Sequence, residues 1–139
     1  MRSMKPILLV EDSCLDTLMV ERAIKELNIG NALVKTTDGR KAVQYLKEQD
    51  NEKPCLIITD LDTPNMNGIE FLSVLKADDS LRKIPVMMLT SSNDSRDVID
   101  SFDRGACGYM VKPADYTELV EMLKTIDSYW SLSELPVSG

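Results

Sequence analysis

Histidine is absent from the 139 residues. With it go imidazole metal ligands, a Ser-His-Asp relay and any role as a phosphohistidine carrier. Cysteine is scarce, and Cys14, Cys55 and Cys107 show no CxxC spacing. Neither a zinc site nor a redox pair is expected, only reduced thiols in a cytosolic protein. No apolar run approaches the roughly 18 residues of a membrane span, and Met1-Arg2-Ser3-Met4 does not lead into a signal-peptide core. Positive charge is also short: 16 Lys and Arg face 23 Asp and Glu, for a formal net charge of −7. That balance argues against a surface built to bind a nucleic-acid backbone. The expected setting is the cytoplasm, with neither membrane nor nucleic acid as a partner.

The rest of the composition, 43% hydrophobic and 28% charged, is ordinary for a soluble domain, and the length suits one domain. Residues 1–4 read as an N-terminal extension, native or left by cloning. Residues 5–130 form the expected domain, and 131–139 a polar, irregular tail containing Pro136.

Short apolar runs alternate with amphipathic stretches along the chain. Ile7 to Val10 reads as a buried strand. Leu15, Leu18, Met19, Ala23 and Leu27 follow at helical spacing, with closure expected between Asn28 and Asn31 around Gly30. Strands are expected over 32–36, 55–59, 84–89 and 107–111. The intervening helices carry Ala42, Val43 and Leu46, then Ile69, Phe71, Leu72 and Leu75, then residues 95–104. From Asp115 the spacing of Leu119, Val120, Leu123, Ile126 and Trp130 predicts a long last helix. Five strand-helix units with non-alternating apolar strands indicate an α/β, doubly wound parallel sheet of five strands. The expected order is 2-1-3-4-5, flavodoxin-like.

In such a sheet, ligands sit beyond the carboxyl ends of strands one and three. Strand one runs into Glu11-Asp12 and strand three into Asp60. Two like charges about 4 Å apart repel by roughly 4 kcal/mol at an effective dielectric of 20. Three carboxylates in one crevice therefore call for a cation or a raised pKa, and among cations hard oxygen donors suit Mg²⁺. Thr90 ends strand four and Lys112 follows strand five, adding a hydroxyl and a compact positive charge. Each residue alone fits a cap or a turn; together they fall at successive strand ends on one edge.

Val10-Glu11-Asp12-Ser13, Thr59-Asp60 with Pro64 and Gly68, Thr90-Ser91, and Gly108 to Pro113 resemble the receiver domains of two-component response regulators, over roughly residues 5–130. The resemblance implies that Asp60 takes a phosphoryl group from a sensor histidine kinase. It implies Mg²⁺ held by Asp12, Asp60 and the main-chain carbonyl of Asp62, with Glu11 helping through water. Lys112 would bind phosphoryl oxygens, Thr90 and Tyr109 would act as the switch, and the Lys112–Pro113 bond would be cis. Ser128-Tyr129-Trp130 and Glu134-Leu135-Pro136 are similar to the tails of regulators that partner bacterial phytochromes. That points to a phytochrome-type kinase and a homodimer. The last helix, starting at the ligand edge, would span on the order of 20 Å from Asp115 to Trp130, which puts Trp130 far from the metal.

Departures from the family pattern are Thr63 before Pro64, Cys55 at the start of strand three, and the acidic Asp62 near the path of an attacking water. Two alternatives stand beside this reading. One is a receiver-fold interaction domain that is never phosphorylated. The other is a haloacid-dehalogenase-type aspartyl-phosphate phosphatase, which Pro64 and the missing late acidic pair disfavour. The expected protein is otherwise no enzyme, catalysing only its own phosphorylation and dephosphorylation.

Overall fold

The computed structural model describes residues 3–133. Five strands, β1 (Ile7–Val10), β2 (Leu33–Thr36), β3 (Leu56–Thr59), β4 (Val86–Thr90) and β5 (Gly108–Val111), alternate with five helices. These are α1 (Cys14–Glu26), α2 (Gly39–Lys47), α3 (Gly68–Ala77), α4 (Ser95–Asp103) and α5 (Tyr116–Leu132). All strand pairs are parallel, in the order β2-β1-β3-β4-β5, as the sequence predicts.

Period-two alternation divides the apolar strand residues between two cores. Leu8, Val10, Ile57, Val86 and Met88 face α2 and α3, meeting Ala42, Leu46, Phe71, Leu72 and Leu75. Ile7, Leu9, Leu56, Ile58, Met87 and Leu89 face α1 and α5, meeting Val20, Ala23, Ile24, Leu119, Leu123 and Ile126. With both faces covered, β1 and β3 are buried at every residue, which explains their uninterrupted apolar runs.

Helix starts are set by side-chain caps. Ser13, Asp38, Asn67, Asp94 and Asp115 each accept a backbone N–H of the first turn, and Asn67 with Glu70 completes a capping box. Two helix ends differ from expectation. α1 closes on Asn28, whose φ is 56°, rather than on Gly30. The Asn28 and Ile29 N–H groups bond back to Lys25 and Ile24, and asparagine tolerates the left-handed conformation. α5 continues through Ser131 and Leu132, into the stretch expected to be tail, because no Gly or Pro stops it there. Glu134-Leu135-Pro136 lies outside the described residues.

Asp38 joins two loops that lead toward the carboxyl edge of the sheet. It is buried, and its carboxylate accepts from the Lys41 N–H at 2.8 Å and from the Asn65 amide at 2.9 Å. Burial pushes this carboxyl up, but the hydrogen bonds and nearby Lys41 bring it below its usual range. A depressed carboxylate stabilises the fold above its unfolded pKa, and that contribution is lost as pH falls through the folded value. Asp38→Ala should therefore cost about 1–3 kcal/mol at pH 7. The gap from wild type should narrow below about pH 4; urea unfolding at pH 7 and pH 3 measures both.

Candidate functional site

The sheet's hydrogen bonding runs one residue past its strands. Glu11 N–H donates to the Thr36 carbonyl at 3.0 Å, Asp60 N–H to Val10 at 3.0 Å, and Lys112 N–H to Thr90 at 2.8 Å. The backbones of these three residues are thus fixed by the sheet, while their side chains lie beyond it.

Those side chains converge. The Lys112 ammonium lies 2.7 Å from Glu11 Oε1, 2.7 Å from Asp16 Oδ2 and 2.8 Å from Asp60 Oδ2. An ammonium has three N–H donors, and three carboxylates take them. Glu11 and Asp60 are buried, whereas the Asp16 side chain is 35% exposed.

Each group responds differently. Burial pushes Asp60 up, but hydrogen bonds from Lys112, the Thr90 hydroxyl and the Asp62 N–H outweigh it and hold its carboxyl below the usual value. Asp60 is therefore an ionised carboxylate at neutral pH. For Glu11, burial wins over Lys112 and the Ser13 N–H, and its carboxyl is raised. Burial disfavours the charge on Lys112, yet Asp16, Asp60 and Glu11 outweigh it and hold its pKa above that of an ordinary lysine.

The remaining expected residues surround this centre. Asp12 and Asp62 are exposed at the rim. A depression of about 260 Å³ lined by Glu11, Asp12, Leu18 and Lys35 opens beside Asp12. Thr90 is fully buried, its hydroxyl bonded to Asp60 and its oxygen accepting from Ser92 N–H at 3.4 Å. The phenol of half-buried Tyr109 donates to the Ser92 carbonyl at 2.9 Å, while the Ser92 hydroxyl donates to Asp97 of α4 at 2.6 Å. A chain of hydrogen bonds thus leads from Asp60 through Thr90 and Ser92 to Tyr109 and α4.

Among the described residues, no three His, Cys, Asp or Glu side chains form a ready-made metal cluster; Lys112 stands between Glu11 and Asp60. No peptide bond among them is cis. Lys112–Pro113 is therefore trans, contrary to the expectation, in the isomer that an X–Pro bond intrinsically prefers by about 0.5–1 kcal/mol. No helix among the described residues is long and apolar enough to cross a membrane.

Asp16 is the site residue that the sequence reading missed. Its signal was local: it follows the cap Ser13 by three residues, in the first helical turn after β1, from which its carboxylate meets Lys112.

Residues 7–124 match the response regulator receiver domain family. The chain is similar to the response regulator Rcp1 of Synechocystis sp., with 35% identity over 130 residues, covering 91% of this chain and 88% of that protein. Among solved structures it is similar to the phosphorylated cyanobacterial phytochrome response regulator RcpA, with a TM-score of 0.90 at 31% identity, covering 97% of this chain and 100% of that one. The Mn²⁺-bound form of Rcp1 gives a TM-score of 0.87 at 34% identity, covering 97% and 100%.

The loop after Asp60 leaves no room for a side chain at Gly68. A Cβ there would stand 2.5 Å from the Asp60 carbonyl oxygen, which is backbone and cannot swing aside. A Cβ on Gly30 would meet only the flexible end of Met4, at 3.1 Å. Gly68→Ala should cost roughly 1–3 kcal/mol, as overpacking does, and lower Tm by several degrees. Gly30→Ala should change Tm little, and thermal unfolding followed by circular dichroism compares the two.

Proposed function

The chain belongs to the response regulator receiver family, and on that footing we propose that Asp60 accepts a phosphoryl group from a sensor histidine kinase. The observation that carries this is the Asp60 carboxylate, buried yet kept ionised, 2.8 Å from the Lys112 ammonium. An Asp60 oxygen attacks phosphorus in line as the P–N bond of the donor phosphohistidine breaks, the electron pair leaving with the imidazole. The product is an acyl phosphate. Phosphoryl transfer asks for positioning and charge neutralisation more than for covalent help, and Lys112 supplies a charge-assisted donor for a phosphoryl oxygen.

The oxygen-only donor set fits a hard divalent cation. Asp12 and Asp60 by their side chains, Asp62 by its main-chain carbonyl and Glu11 through water would hold Mg²⁺, which when bound neutralises charge on the phosphoryl oxygens. The Mn²⁺-bound form of Rcp1 supports a divalent metal here.

Once Asp60 carries the phosphoryl group its carboxylate charge is gone, and the Thr90 hydroxyl turns its hydrogen bond to a phosphoryl oxygen. Ser92 and Tyr109, already linked to Thr90, pass the change to the α4 side, so that the domain switches a protein-interaction surface. This is signalling; the turnover is confined to the protein's own phosphorylation and dephosphorylation. The likeness to RcpA supports a phytochrome-type photosensor as the kinase, and a kinase that draws on ATP would act with this chain in the cytoplasm. A homodimer through the end of α5, where Tyr129 and Leu132 are exposed beside the partly buried Trp130, completes the reading.

Acetyl phosphate with Mg²⁺ should add one phosphoryl group to the wild type, and none to Asp60→Asn or in the presence of EDTA. Intact-protein mass spectrometry reads the addition, and labelling that persists in Asp60→Asn would sink the assignment. Asp12→Ala should weaken Mg²⁺ binding far more than Asp62→Ala, because the second substitution leaves the ligating carbonyl in place. Calorimetric titration of both variants decides it.

A further inference from the structure

The contact between Asp16 and Lys112 has no part in the transfer as described so far. Asp16 lies in the first turn of α1, where its own N–H is held by the Ser13 hydroxyl at 3.2 Å, and its carboxylate is 2.7 Å from the Lys112 ammonium. Of the three carboxylates on that ammonium, the other two change during the reaction. Asp60 gives up its carboxylate charge to the acyl-phosphate bond, and Glu11 would share its charge with Mg²⁺ through water. Beneath the ammonium, the cleft between α1 and α5 is lined by Met19, Val20, Leu89, Pro113 and Leu119 besides Glu11 and Asp16. Those apolar walls offer no side-chain oxygen.

We propose that Asp16 is a positioning residue for Lys112, keeping its ammonium at the phosphoryl site while the contacts with Glu11 and Asp60 weaken. Asp16 suits this because it stands on a capped helix turn, outside both the acceptor and the expected metal ligands. One N–H stays with Asp16, and the others become free to meet phosphoryl oxygens. Asp16 touches neither donor nor acceptor and acts through Lys112 alone.

The inference rests on Asp60 being the phosphoacceptor, and the test separates the two. Second-order rate constants for labelling by acetyl phosphate with Mg²⁺ are measured for wild type, Asp16→Asn, Lys112→Ala and the double variant. Asp16→Asn should slow labelling about three- to tenfold. In the Lys112→Ala background the same change should alter the rate less than about twofold, because its mediator is gone. The sign is diagnostic: deleting a negative charge by itself speeds the approach of an anionic donor, so slower labelling reports lost positioning. An unchanged or faster Asp16→Asn overturns the inference, as does an equal loss in both backgrounds, which would mean a general structural effect. A wild type that cannot be labelled overturns the phosphoacceptor reading itself and this inference with it.

Discussion

One ammonium makes the carboxyl edge of this sheet possible. Glu11 and Asp60 are both buried there, and two carboxylates about 4 Å apart would repel by roughly 4 kcal/mol at an effective dielectric of 20. Lys112 turns that repulsion into two attractions and adds a third to Asp16. The compensation is unequal. Asp60, with Thr90 and the Asp62 N–H as further donors, stays ionised, whereas Glu11 is left with a raised pKa. The same cation therefore leaves one carboxylate ionised and one carboxyl whose pKa burial still raises.

The backbone around this charge cluster is held by separate sets of hydrogen bonds. The sheet's final hydrogen bonds fix Glu11, Asp60 and Lys112. The loop after β3 is drawn against Asp60 by the Gly68 N–H bond to the Leu61 carbonyl at 2.9 Å. Asp38 and Asn65 tie that loop to the one before α2. Beside this backbone frame stand side-chain contacts, Thr90 to Asp60 and Tyr109 to Ser92, at the end of β4.

Much of this was legible in the sequence. The unbroken apolar runs of β1 and β3 mark strands covered on both faces, and the acids and lysine that follow them mark one edge. What escaped was non-local or carried by backbone atoms. An acid in a first helical turn, such as Asp16, reads as a favourable dipole or capping residue, and nothing nearby announces a lysine 96 positions later. The Ser92 carbonyl that receives Tyr109 belongs to the main chain and leaves no mark on residue type. Asn28 took the turn that Gly30 promised because hydrogen bonding placed the reversal two residues earlier. α5 runs on to Leu132, past the point where polar composition predicts irregular structure.

The order in which these charges occur along the chain bears on how the molecule assembles. Glu11, Asp16 and Asp60 lie in the first half, and their cation arrives only with β5. A partly built sheet of β2, β1, β3 and β4 would gather the carboxylates with no ammonium among them, a penalty added to its unfinished cores. Docking of β5 removes that penalty at one stroke, since Lys112 meets all three acids together. The charge pattern thus disfavours truncated intermediates, and it couples the last strand to the first in a single cooperative folding step.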